Sequence, residues 1–296
     1  MNSIHKWSWL IIVMTIFSLV FMAGCKTGPA SGGGLASATA PLTVKVLDVG
    51  QGDAILIRAQ DQVVLIDTGD VPAKDRLVKL LKSQGITTID KLIITHPHAD
   101  HIGGVAAVFQ QFTVKQIYDS GQKTTSNLYK QYLAQIQKQK IPFTVVNAGM
   151  TIDLGNEIML KILAPDKPLI VGSESDINNN SIVAKLVYNN FSMLLTGDAE
   201  SESEERMLKK DASILKSTVL KSGHHGSRSS SSVPFLQAVS PETAIISLGA
   251  NNEYHHPHPS TLKKYKDKKI VIYRTDTDGT VTVASDGKTY TITKER

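Results

Sequence analysis

The sequence holds a single cysteine, Cys25. A lone thiol permits no intramolecular disulfide, and its position at the end of a leader-like segment leaves no thiolate for a metal site in the rest of the chain. Any cation bound there must be held by nitrogen and oxygen. Charge of one sign is also scarce: 32 Lys and Arg against 27 Asp and Glu leave a formal net charge of +5. That balance is too mild to identify a nucleic-acid or membrane partner by itself. The basic run Lys263, Lys264, Lys266, Lys268 and Lys269 reads as a solvated helix face. No repeat recurs at a short period, so nothing points to a solenoid.

The N-terminus differs from the rest. Lys6 is followed by an uncharged, mostly apolar run from Trp7 to Gly24, then Cys25. A basic start, an apolar core and small residues before the next segment describe an export signal, and Met22-Ala23-Gly24-Cys25 resembles the lipobox of bacterial lipoproteins, whose cysteine becomes the lipidated first residue. An uncleaved membrane anchor is the competing expectation, because the run is just long enough to span a bilayer. On either reading the bulk of the protein is extracytoplasmic and held on the bacterial cell membrane, in the first case by a lipid at Cys25. The expected organisation is a signal over residues 1–24, a Gly/Ser/Ala-rich flexible linker over 25–41 and a folded domain over 42–296. With 41% hydrophobic residues that domain can build a full core.

The domain opens with three strand-like segments, Thr43 to Asp48, Ala54 to Ile57 and Val63 to Asp67, which predict a meander. Leu77, Leu80 and Leu81 share one face of a helix over 73–84. Further helices are predicted over 127–140, over 200–210 and from Ser260, with Gly172 to Asn180 as a polar loop. Strands alternate with these to the end, where Ile270 to Arg274, Thr280 to Ala284 and Tyr290 to Thr293 close the chain. The centre of this pattern is Thr95-His96-Pro97-His98-Ala99-Asp100-His101, which follows a buried strand and puts three imidazoles and a carboxylate within six residues. His96 and His98, two apart, can face one side of an extended segment, while Asp100 and His101 follow a turn. Imidazole and carboxylate suit zinc, manganese and iron. Two more strand-end loops add Asp198 in Thr196-Gly197-Asp198, and His224 with His225.

This order of elements, with Asp67 after an early strand, the HxHxDH loop, TGD and a late histidine, resembles the metallo-β-lactamase-fold hydrolases. The resemblance implies an α/β fold, a four-layer αββα sandwich. A narrower match comes from Val46-Leu47-Asp48-Val49-Gly50-Gln51-Gly52-Asp53-Ala54, from Lys221-Ser222-Gly223-His224-His225-Gly226-Ser227, and from Ser247-Leu248-Gly249 leading into His256-Pro257-His258. These stretches are similar to the C-terminal nuclease domain of ComEC-type DNA-uptake proteins, here joined to a lipoprotein-like leader.

Carried over by position, the resemblance implies two divalent metal ions, Zn or Mn. His96 and His98 would bind the first and Asp100, His101 and His225 the second, with Asp198 bridging. Asp67 would orient a ligand histidine. Many members place a further histidine before the TGD strand, where this chain has Asn180 and Ser181, so manganese should serve at least as well as zinc. The implied reaction is hydrolysis of a phosphodiester, most simply DNA, by a hydroxide bridging the metals. Asp100 belongs to the catalytic set, and His224 or His258 can protonate the leaving oxygen; His256 either contacts substrate or only orders its loop. A small phosphoester such as a phosphocholine ester or nucleotide is the alternative substrate, a lactam a more distant one. A non-catalytic surface binding module is the alternative of another class.

Overall fold

The computed structural model describes residues 40–296. The expected signal over residues 1–24, Cys25 and nearly all of the linker lie outside the described residues. Among the described residues no helix is long and apolar enough to cross a membrane.

Alternation of apolar residues builds the first sheet. β1 (Leu42–Val46), β2 (Ile55–Ala59) and β3 (Gln62–Ile66) form an antiparallel meander, with Val44 opposite Ile57 and Ile57 opposite Val64. Side chains alternate across a strand, so these three point into the space between two sheets while Leu56 and Leu65 point outward against helices. The chain continues through α1 (Lys74–Ser83), β4 (Thr88–Ile89), β5 (Lys91–Ile94), α2 (Ala99–Ile102), α3 (Val105–Gln111), β6 (Thr113–Val114), β7 (Ile117–Asp119), α4 (Asn127–Gln139) and β8 (Phe143–Val145). β5, β7 and β8 extend the sheet in parallel from β3. Leu92, Ile93 and Ile94 are buried on both faces, as strands in a covered parallel sheet require.

The second half repeats the scheme. β9 (Thr151–Asp153), β10 (Ile158–Ala164), α5 (Asp176–Asn179), β11 (Val183–Tyr188), β12 (Phe191–Leu195), α6 (Ser201–Asp211), β13 (Val219–Lys221), α7 (Val233–Val239), β14 (Thr243–Ile246), α8 (Pro259–Asp267), β15 (Val271–Arg274) and α9 (Thr275–Asp278) lead to β16 (Val281–Ser285) and β17 (Tyr290–Lys294). β9 to β12 are antiparallel neighbours, and β12 to β15 run parallel. The last two strands return to the first sheet, β16 pairing antiparallel with β1. The sheets read β17-β16-β1-β2-β3-β5-β7-β8 and β15-β14-β13-β12-β11-β10-β9.

Three cores hold four layers together. Val44, Ile57 and Val64 meet Leu160, Leu186 and Met193 between the sheets. Leu77, Leu81, Phe109 and Tyr132 cover the first sheet; Met207, Phe235, Leu236 and Tyr265 cover the second. The αββα sandwich expected from the motif order is therefore the architecture found. Several short helices depart from the expectation, α2, α5, α7 and α9 among them. The polar stretch before Asn180 contains the one-turn helix α5, and α7 forms where no helix was predicted, started by Ser232, whose hydroxyl accepts from Phe235 N, and by a proline in its first turn. Both are too short to give a periodic signal. The parallel strands of both sheets carry the functional loops at their C-terminal ends, where α/β sheets gather ligands.

Candidate metal centre

The loop after β5 is fixed from below by Asp67. Its carboxylate accepts from Thr95 N at 2.8 Å and from Thr95 Oγ1 at 2.6 Å, and its Oδ2 lies 2.8 Å from His101 Nδ1. With Nδ1 held, the other nitrogen of His101 faces the cluster, 3.2 Å from Asp198 Oδ2. A carboxylate behind a ligating histidine fixes both tautomer and ring orientation. His96 is held the same way, its Nδ1 3.1 Å from Thr95 Oγ1 and 3.2 Å from Ser181 Oγ. Its Nε2 sits 3.1 Å from His98 Nδ1 and 3.8 Å from Asp198 Oδ2. Gly52 allows this loop to close: a Cβ there would stand 2.2 Å from the Asp100 carbonyl oxygen, and the next residue, Asp53, donates its N–H to that oxygen.

The opposite wall comes from the loop after β13. His225 donates from Nδ1 to the Ser247 carbonyl at 2.8 Å, and its Nε2 lies 3.1 Å from Asp100 Oδ2 and 3.4 Å from Asp198 Oδ2. His224 sets Nδ1 2.8 Å from Glu200 Oε1 and Nε2 3.8 Å from Asp198 Oδ2. Both histidines adopt left-handed backbone, φ 45° and 51°. Such residues cost about 1–3 kcal/mol each, and they persist because hydrogen bonds and packing fix both rings. Behind them is a buried ion pair: Lys221 Nζ lies 2.9 Å from Asp53 Oδ2, with side chains 0% and 1% exposed. Lys221 also donates to the Ser222 carbonyl, and Asp53 Oδ1 stands 3.5 Å from His225 Nδ1.

The electrostatics follow from crowding charges in a dry space. Burial raises the pKa of Asp198, but His225, His101 and His224 overcome it and hold the carboxyl well below its usual range. Burial opposes protonation of His225 as well; Asp198 and Asp100 outweigh it and push that pKa up to about 10. Burial and then His101 lower His96 far below its ordinary value. Atoms of Asp100, His101, Asp198 and His225 lie within 4.8 Å of one another. Asp198 Oδ1 and His101 Nε2 are buried without a hydrogen-bond partner, which is costly unless something else binds them. A nitrogen and oxygen donor set with unsatisfied atoms pointing inward fits a divalent cation. Asp53, Asp67 and His101 also cluster, but Lys221 and Thr95 already engage those carboxylates, so this group supports the centre.

A cavity of about 310 Å³ opens onto the cluster, and His98, Asp100, Asp198, His224, His225 and His256 line it. His258 is not among its lining residues; its Nδ1 accepts from Arg228 N at 3.1 Å, one ring behind His256. Burial, then His225, His224 and His258, push the His256 pKa down to about 4, so that ring is neutral near pH 7. Asn180 turns away, its carboxamide tied to Ile170, Asp176 and Gln122. Asn178 lines the cavity instead and donates to Glu200 Oε1 at 2.8 Å. Sequence reasoning passed over Asn178, Gln51, Tyr254, Glu200 and the Asp53–Lys221 pair. Gln51, Asp53 and Lys221 stood inside quoted motifs, which was the one available signal.

Residues 47–172 match the family model described as the metallo-beta-lactamase superfamily. Over 288 residues the chain is 32% identical to ComE operon protein 3 of Bacillus subtilis, covering 91% of this chain and 35% of that protein. It is 32% identical over 237 residues to competence protein ComA of Neisseria gonorrhoeae, covering 80% of this chain and 31% of that one. The chain thus spans about a third of the length of these curated relatives. Among solved structures, CmlA, a diiron β-hydroxylase from Streptomyces venezuelae, superposes with a TM-score of 0.58 at 15% identity, covering 83% of this chain and 54% of that chain. That is a likeness of fold alone.

Proposed function

Since the chain belongs to the metallo-β-lactamase superfamily of metal-dependent hydrolases, we propose that it is a phosphodiesterase acting on DNA, carried on the outer face of the cell membrane by a lipid at Cys25. The observation that carries the reading is the convergence on Asp198 Oδ2 of His96, His101, His224 and His225 nitrogens at 3.2–3.8 Å. His96 and His98 would hold one cation and Asp100, His101 and His225 a second, with Asp198 shared. Such cations supply an activated water and neutralise charge on phosphate oxygens. The competence proteins of similar sequence favour DNA over a lactam.

The chain's own residues then divide the work. Asp67, Ser181 and the Ser247 carbonyl orient the ligand rings. Glu200 holds His224 so that its Nε2 faces the cavity, a position from which a proton can pass to a departing oxygen. His256, neutral, lends a hydrogen-bonding ring to the cavity wall. With Asn180 and Ser181 where many members place a further histidine, manganese should support turnover at least as well as zinc.

The test is cleavage of single- and double-stranded DNA by the full chain with manganese or zinc, beside Asp198→Ala. Metal-dependent cleavage that vanishes in the variant supports the reading. A protein that holds two cations and cuts neither DNA overturns the DNA reading and favours a small phosphoester in its place.

A further inference from the structure

A second cavity, of about 230 Å³, adjoins the metal cavity and shares Gln51, Ala99, Asp100 and Tyr254 with it. Its other lining residues are Asp70, Asn252 and Glu253. Among the described residues no lysine or arginine lines it, and two further carboxylates repel anions. A second phosphate is therefore excluded. A neutral, flat group is not.

Tyr254 supplies the surface for one. The residue is 53% exposed, and its ring stacks on His256 at 5.7 Å between centroids and 27° between planes. His256 in turn lies 5.4 Å from His224 and 6.3 Å from His225. Aromatic rings thus run without a break from the centre to solvent. The loop bearing Tyr254 is fixed by Asn252, which donates to the Gly249 and His256 carbonyls at 2.9 and 2.7 Å and accepts from His256 N at 2.9 Å. Gln51 is less complete: Oε1 accepts from Gly249 N at 3.2 Å, while Nε2 is buried without a partner. A large exposed aromatic therefore borders the space beside the place proposed for a phosphate, with the Gln51 amide nitrogen buried behind the wall.

We propose that this side cavity is a nucleobase subsite: the base adjoining the phosphate at the metal centre leaves its pair and stacks on the exposed face of Tyr254. The inference rests on the phosphodiesterase reading and adds a demand for an unpaired base. Every base offers a π-face, so stacking of this kind tolerates sequence, whereas a paired base is inaccessible to a pocket.

The test compares, for the manganese-loaded full chain, cleavage of a short oligothymidylate with cleavage of the same strand carrying abasic residues around one phosphate. The wild type should prefer the intact strand by about tenfold, within what base stacking on an aromatic ring supplies. Tyr254→Ala should abolish that preference and Tyr254→Trp should keep it; both should melt with the wild type. A preference that survives Tyr254→Ala, or a wild type indifferent to the missing bases, overturns the subsite and leaves the nuclease standing. A wild type that cuts neither strand but cuts duplex DNA overturns the subsite alone, and one that cuts no DNA at all overturns the nuclease reading, with which the subsite falls.

Discussion

The two sides of the centre are built differently. On the inner side three rings have the rear nitrogen engaged: His101 on Asp67, His225 on the Ser247 carbonyl, His96 on Thr95 and Ser181. On the outer side His256 Nδ1 and Gln51 Nε2 have no partner, and Tyr254 is half exposed. These three rings, proposed to hold cations at fixed distance, are locked from behind. Of the outer groups, Tyr254 is the one left open for a passing substrate to cover.

That contrast can be broken by experiment. Asp198→Ala removes the carboxylate shared by both halves of the centre, so cation binding and hydrolysis should both be lost; a variant that still binds two manganese ions at wild-type affinity would refute the shared role. Lys221→Met leaves Asp53 charged, buried and unpaired, which costs about 3–5 kcal/mol in urea unfolding. Asp53→Asn with Lys221→Met should recover most of it, and equal losses in the single and double variants would show that the pair does not act as a unit. Asp67→Asn should weaken metal binding by about 10–100-fold in a chelator competition, whereas His256→Asn should not. Equal loss in both would erase the distinction between the two sides.

A further effect, away from the centre, concerns Asp119, buried and bonded to Tyr132. Burial raises its pKa from 3.8 to about 6, so the folded chain binds this proton more tightly than the unfolded one. The group's contribution to stability is full below about pH 3.8 and is lost as pH rises through about 6. Asp119→Asn should therefore melt higher than wild type at pH 7 by an amount that shrinks toward pH 4, and a difference constant with pH would contradict this.

Much of the centre was legible because ligand-type residues are dense where buried strands end. His96, His98, Asp100 and His101 fall in one loop, and Asp198 and His225 follow strands whose apolar runs are plain. Strands β1 to β3 and helix α1 were legible from their apolar runs and spacing, while the layered fold was expected only through the resemblance carried by the motif order. Other features depend on orientation that sequence does not encode locally. In Asn178-Asn179-Asn180 the turn of α5 decides which carboxamide meets the cavity, and it sends Asn178 inward and Asn180 to Ile170. Lys221 ends an otherwise apolar strand; its burial depends on Asp53, far earlier in the chain. Tyr254 is one aromatic in a polar loop, without periodicity to mark it.

The return of β16 to β1 also bears on the order in which the molecule assembles. Leu42 sits opposite both Ala59 and Ser285, and Asp48 is met by Thr280 and Arg296, so the earliest strand of the domain is completed by the latest. Contacts of such sequence separation make folding slow, because a long loop must close before they form. Until β16 arrives, β1 has an open edge able to pair wrongly.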